Sequence, residues 1–268
     1  MSRANMDKNP DEVAAMFDGV AKRYDLVNDL LSLGRTKAWR KATTKLIEPR
    51  PGMKILDLAA GTGSSSEPLA AAGADVIPAD FSEGMLAAGR KARPHLPFTK
   101  ADALNLPFAD GEFDVATISF GLRNTQKTAK ALAEMYRVTK PGGRIVICEF
   151  SKVTNPALAP FYNLYLNKIL PGFSRIASKT PEAYSYLSES ILAWPNQQEL
   201  GLKISKAGYE SVAYRNLTFG IVGGLLAQHV LRHKTYKPGF VTITALITAL
   251  HVLTLGLIMF GVYAPGTV

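Results

Sequence analysis

From Met53 to Phe150 short apolar runs alternate with stretches of helical periodicity, and a chain written this way has few folds open to it. Strands joined through helices run parallel, because the crossover returns the chain to the same end of the sheet, and the helices then cover its faces. The sequence therefore predicts an α/β, doubly wound, mostly parallel sheet with strands over 53–58, 75–80, 96–101, 113–120 and 144–150. Pro78 lies inside the second and has no ladder donor, so that strand is expected to be short or bulged. Two further strands, over 211–217 and from Phe219 onward, bring the sheet to seven.

The flanks read differently. Val13, Met16, Phe17, Val20 and Tyr24 recur at three- and four-residue spacing, which makes residues 1–50 an N-terminal helical lid, ended by Pro49 to Gly52. The domain proper is expected over 51–230, with a helical insertion near 154–195 and a last helix near 197–207. Phe240–Val262 holds 23 residues without a charge. As a helix it would be about 34 Å long, enough to cross a bilayer. Arg232, Lys234 and Lys237 precede the run, so the preceding domain is expected on the cytoplasmic face of the membrane. A hydrophobic helix docked on protein or lying in the membrane interface is the other reading.

Composition narrows the partners only partly. A net charge of +9 attracts anions without choosing among nucleic acid, membrane and acidic cofactor. A nucleic-acid-modifying enzyme is disfavoured, since Asn-Pro-Pro-Tyr is absent and the single cysteine, Cys148, is not in a Pro-Cys setting. Cys148 lies in the apolar run Arg144–Phe150 and is expected to pack; one cysteine permits neither a disulfide framework nor a CxxC metal site. The N-terminus carries no apolar secretory stretch.

The chemistry gathers at strand ends. The first strand runs into Asp57-Leu-Ala-Ala-Gly61-Thr62-Gly63, where a glycine turn brings backbone close to a ligand and the following helix offers free N–H groups. Dinucleotide-binding folds use a similar turn, but here Ala59 and Glu67 flank it and no third glycine follows at the pyrophosphate spacing. A nicotinamide-dependent dehydrogenase fails at this point. S-adenosylmethionine, which carries no phosphate and whose cationic groups tolerate acids such as Asp57, fits better. Asp80, 23 residues further on, ends the second strand and can accept from both ribose hydroxyls. After the third strand Asp102 and Ala103 can meet adenine, and Ser119-Phe120-Gly121 closes the fourth beneath the ligand. All four pieces lie on the edge where open α/β sheets bind ligands.

Beyond these pieces stand Met16-Phe17-Asp18, Tyr24-Asp25, Trp39-Arg40 and, most diagnostic, Ile118-Ser119-Phe120-Gly121-Leu122-Arg123-Asn124. They are joined by Cys148-Glu149-Phe150-Ser151, Ala183-Tyr184-Ser185-Tyr186-Leu187-Ser188-Glu189 and Asn216-Leu217-Thr218-Phe219-Gly220. With them the chain, from about residue 12 to 222, resembles the quinone-biosynthesis C-methyltransferases, the demethylmenaquinone and methoxy-polyprenyl-benzoquinol methylase family. Asp57-Leu-Ala-Ala-Gly61 and Ala193-Trp194-Pro195 look most like the actinobacterial menaquinone branch.

The resemblance implies a class I S-adenosylmethionine methyltransferase fold and methylation of a ring carbon of a polyprenylated quinol without a metal. Demethylmenaquinol is the first choice of acceptor and a methoxy-polyprenyl-benzoquinol the second. It implies cofactor contacts from Thr62, Asp80, Asp102, Ala103 and Ser119, with Gly61 and Gly63 forming the turn. Arg123 and Asn124 are assigned to orienting the quinol oxygens, the guanidinium stabilising phenolate; the competing reading has the arginine bonded to loop carbonyls. Tyr184, Tyr186 and Glu189 either line the acceptor pocket or assist deprotonation, or else serve packing and a surface ion pair; the sequence leaves both readings open. A membrane-tethered, non-catalytic cofactor-binding subunit is the rival to an enzyme, and a homo-oligomer is compatible with the sequence.

Overall fold

The computed structural model describes residues 6–21, 25, 29, 32, 34–153, 156–169, 181–217 and 221–228. Seven strands form one sheet in the order β3-β2-β1-β4-β5-β7-β6. The strands are β1 (Lys54–Leu58), β2 (Asp75–Asp80), β3 (Thr99–Lys100), β4 (Phe113–Ser119), β5 (Thr139–Phe150), β6 (Val212–Leu217) and β7 (Val222–Gln228). The first five pair in parallel, whereas β7 runs antiparallel to both β5 and β6. This is the predicted doubly wound, mostly parallel sheet.

Residues 55–58 of β1 are all buried, as an inner strand covered on both faces requires. Alternate residues feed separate cores: Ile55 joins Val76, Val115 and Val146 on one face, while Leu56 and Leu58 join Ala116, Ile118 and Ile147 on the other. Ile47 from α2 (Arg35–Ile47) and Leu69 from α3 (Glu67–Ala71) close the first core. The second is closed by α5 (Thr128–Val138), through Ala131, Leu132, Met135 and Val138, and by α8 (Gln197–Lys206), through Leu200 and Ile204. A capping box, Asn196 with Glu199, starts α8.

Two helices shape the edge at the strands' carboxyl ends. They are α1 (Pro10–Val20), whose Val13, Met16 and Phe17 pack with Tyr186, and α4 (Glu83–Ala92). The predicted insertion contains α6 (Ala159–Leu164), a wide turn over Tyr165–Ile169 and α7 (Pro181–Leu192), which pack Leu166 and Ile191 with Tyr162, Leu187 and Phe150.

Three strands differ from expectation. The second is neither short nor bulged. Asp75 donates to Met53 O and Ala60 donates to Ala79 O, so odd-numbered residues of β2 bond β1, and Pro78 turns its missing donor toward β3, where pairing starts only at Ala79 and Thr99. The third shrinks to two residues, because the chain turns through Arg93–Phe98 and Leu96 N–H donates to Arg93 O. The fifth begins at Thr139, with an irregularity that jumps from Phe113↔Thr139 to Val115↔Arg144, so the regular ladder resumes where the sequence places it. The expected C-terminal hydrophobic helix, Phe240–Val262, lies outside the described residues. Among the described residues no helix is long and apolar enough to cross a membrane.

Candidate active site

The loop after β1 is built from left-handed backbone. Ala59, Gly61 and Gly63 have φ of 52°, 57° and 81°. Alanine at such a position costs about 1 to 2 kcal/mol, which local contacts must offset. Phe120, after β4, shares the conformation at φ 58°. Gly121 beside it explains the crowding: a Cβ there would stand 2.3 Å from Ala59 Cβ, so the loops after β1 and β4 meet only because residue 121 is glycine. Gly63 serves packing, since a Cβ there would lie 2.6 Å from the Phe98 ring.

Asp80 stitches two of these loops. Its Oδ2 accepts from Gly61 N–H at 2.8 Å and its Oδ1 from Ser82 N–H at 2.8 Å. Burial raises its pKa, against the pull of those N–H groups, and Asp18 raises it further. Each carboxylate oxygen keeps a second lone pair for a hydroxyl donor. Asp102 is held in the same manner by Leu104 N–H on Oδ1 at 2.8 Å. Asp57 is fully buried, and its Oδ2 accepts from Ser65 and Ser66 at 2.8 and 2.6 Å. Burial pushes its carboxyl up to about 6.

Two acids of the N-terminal segment close the same edge, and sequence reasoning gave neither a role. Asp18 of α1 accepts from Gly84 N–H at 2.8 Å and from the Ser82 hydroxyl, at the start of α4. Asp25 accepts from Thr62 Oγ1 and Ser64 Oγ, both at 2.8 Å. In the sequence both acids stand out only as motif residues, in Phe17-Asp18 and Tyr24-Asp25, with no local sign of their distant partners.

These loops enclose a cavity of about 190 Å³ lined by Gly61, Thr62, Asp80, Asp102, Ala103, Ser119 and Asn124 among others. Among the described residues, three carboxylates, Asp25, Asp80 and Asp102, and one guanidinium, Arg40, line it; Arg40 donates to Thr36 Oγ1 at 3.1 Å and Asp29 at 3.5 Å. Such a lining repels a pyrophosphate and suits a cationic ligand that carries hydroxyls and an amine, as S-adenosylmethionine does. Of the predicted cofactor contacts, Gly63 alone does not line the cavity.

The predicted acceptor pair divides. Asn124 lines the cavity, and its Oδ1 accepts from Tyr186 OH at 3.3 Å. Arg123 does not line it. Its guanidinium is turned into the protein, where Nη1 donates to Glu149 Oε1 at 2.8 Å and to Phe120 O, over the Phe150 ring at 5.0 Å. A buried cation must find an anion and carbonyls, and Glu149, 1% exposed, supplies the anion. Glu189 lies on the exposed side of α7, and the Tyr184 side chain is outside what is described. Beneath Phe120 an aromatic group of Trp39 and Phe150 packs on Cys148, whose thiol burial pushes up to about 12, so Cys148 packs as expected.

The profile of the ubiE/COQ5 methyltransferase family matches residues 5–230. A demethylmenaquinone methyltransferase of Streptomyces avermitilis is 59% identical over 225 residues, 83% of this chain and 96% of that one. Those of Paenarthrobacter aurescens and Mycobacterium tuberculosis are each 52% identical, over 89% of this chain and 94% and 98% of theirs. Among solved structures, a SAM-dependent methyltransferase of Thermotoga maritima superposes with a TM-score of 0.59 at 18% identity, covering 81% of this chain and 99% of its own. One from Aquifex aeolicus gives 0.51 at 20% identity, over 71% and 89%. At these identities the structures speak for the fold alone.

Proposed function

The chain belongs to the ubiE/COQ5 methyltransferase family, and from that premise we propose that it methylates a ring carbon of demethylmenaquinol, a polyprenylated quinol, to give menaquinol. The carrying observation is the 59% identity across 96% of a relative that bears this activity in its name. The cavity supports it from the chemical side, with acids at the ends of β2 and β3 and an amide, Asn124, at the end of β4.

S-adenosylmethionine supplies an electrophilic methyl group when bound. Asp80 offers its spare lone pairs to ribose hydroxyls, Asp102 and Ala103 meet the adenine edge, and Thr62 and Ser119 complete the polar lining. Asn124 presents an amide to a quinol oxygen. Arg123 stands behind it, paired with Glu149, and holds the turn that carries Asn124 rather than touching the acceptor. Ionisation of a ring hydroxyl makes the neighbouring carbon nucleophilic, and the remaining task is positioning.

Incubating the purified chain with S-adenosylmethionine and demethylmenaquinol, followed by mass spectrometry of the quinol, is the direct test. A product heavier by one CH2 supports the reading. Cofactor binding without any methylated quinol makes the chain a non-catalytic subunit instead, and methylation of a methoxy-polyprenyl-benzoquinol in preference reassigns the acceptor.

The uncharged run Phe240–Val262 and its basic flank support anchoring of the enzyme on the cytoplasmic face of the membrane, beside a substrate whose prenyl tail dissolves there. Truncation after Lys237 is expected to release the protein from membranes while methylation of a short-chain quinol continues. Full-length protein that stays soluble without detergent refutes the anchor.

A further inference from the structure

We infer that Glu149 is a positioning residue of the methyl transfer, acting through Arg123 and the turn that carries Asn124. Its carboxylate is buried at the end of β5 and accepts three N–H groups: Arg123 Nη1 at 2.8 Å, Arg123 backbone N–H at 3.1 Å and Phe150 backbone N–H at 2.9 Å. Two of the three come from one residue of the turn Leu122–Asn124. Glu149 therefore fixes that turn from both its backbone and its side chain, and the next residue along is the amide on the cavity.

Packing alone is a poor reason for this pair. Burying two charges costs desolvation that a hydrophobic pair of similar volume avoids, so a buried ion pair adds little stability by itself. What it does here is place charge. Around the guanidinium stand the hydroxyls of Tyr162 and Tyr186; burial raises the pKa of each, and the Arg123 charge lowers it. Lys8, whose ammonium lies 5.6 Å over the Trp194 ring, has its pKa lowered by burial first and then by the Arg123 charge, against a smaller pull from Glu149. Arg123 Nε is buried without a hydrogen-bond partner, so the fork is held from its Nη1 corner, by Glu149 and the Phe120 carbonyl. Removing the carboxylate leaves the Arg123 guanidinium without its counter-charge and frees the turn that aims Asn124.

This role rests on the methylation reading, and a double-mutant cycle on the full-length enzyme separates the two. Glu149→Gln is expected to lower kcat on demethylmenaquinol by at least about tenfold while cofactor Kd stays within about twofold. In an Arg123→Ala background the same change is expected to cost clearly less, because the guanidinium is gone and only the bond to the residue 123 backbone N–H remains to be lost. Glu149→Asp, which keeps the charge, is expected to recover part of kcat, and it carries the test should the glutamine variant fail to fold. Undiminished kcat in Glu149→Gln, an equal loss in both backgrounds, or a parallel loss of cofactor affinity overturns the positioning role. A wild-type enzyme inert on the quinol strikes instead at the methylation reading itself.

Discussion

The two sides of the cavity are built by different means. On the side formed by β1, β2 and β3, the acids are held by backbone close at hand: Asp80 by Ser82 and Asp102 by Leu104, two residues away in each case, with Gly61 as the one longer reach. Beyond β4 the polar groups meet across the fold. Arg123 finds Glu149, 26 residues on, and Asn124 finds Tyr186, 62 residues on. On the first side the strand-end acids are thus set by their own loops, which Asp18 and Asp25 clasp from outside, whereas the second side depends on how β5 and α7 are packed. Damage to the first should fall on cofactor binding, and damage to the second on turnover.

The seam between the sides offers the sharpest break. Gly121→Ala drives a methyl group into Ala59 at 2.3 Å. The clash joins two loops already in left-handed backbone, so the expected loss is about 3 kcal/mol or more of stability, together with weakened cofactor binding. Thermal melts read it; a variant melting within about a degree of the parent would show the loops part freely.

Next in size is a pH effect at the root of the cofactor loop. Asp57 has a folded pKa of about 6 against an ordinary value of 3.8, because burial outweighs the Ser65 and Ser66 hydrogen bonds. The folded state therefore holds this proton more tightly than the unfolded chain. Its stabilising contribution is full below the ordinary value and is lost as pH rises through about 6. Asp57→Asn keeps a carbonyl oxygen for both serines and removes the ionisation. It is expected to raise stability near neutral pH by up to about 3 kcal/mol and to flatten the slope between the two pKa values. A parent whose melting temperature rises across that window would contradict the assignment. Asp80→Ala follows: cofactor affinity is expected to fall by about 1.5 to 3 kcal/mol by calorimetry, as for hydrogen bonds to a charged group. Unchanged affinity removes Asp80 from the site.

The same contrast governs what the sequence made legible. Asp80, Asp102 and Ser119 could be singled out because each ends or closely follows a strand, and a strand end is visible as a break in apolar patterning. Pro78 misled because its meaning depends on which neighbour its missing donor faces, and alternation along one strand does not say that. Arg123 was visible as a motif residue, but its direction was not, since Glu149 reaches it only once β5 is laid beside β4. Asp18 and Asp25 escaped for a like reason. Their partners, Ser82 and Thr62, are 64 and 37 residues away, and nothing local marks an acid as the clasp of a distant loop.

The smallest expected effect tests the turnover side without moving a charge. Tyr186 is 2% exposed, and burial raises its pKa, so the hydroxyl stays protonated and donates to Asn124 Oδ1. That bond leaves the Asn124 amide nitrogen for Phe120 O, at 3.4 Å, and so fixes which end of the amide meets the acceptor. Tyr186→Phe keeps the ring in its contacts with Val13, Met16 and Phe17 and deletes only the donor. With one neutral hydrogen bond of 3.3 Å lost, kcat on demethylmenaquinol is expected to fall by about 0.5 to 1.5 kcal/mol in barrier, a few-fold, with cofactor affinity unmoved. Should affinity for the cofactor fall while kcat holds, the division between the two sides is wrong, because a group reached only through packing would then be serving the loops that set the strand-end acids.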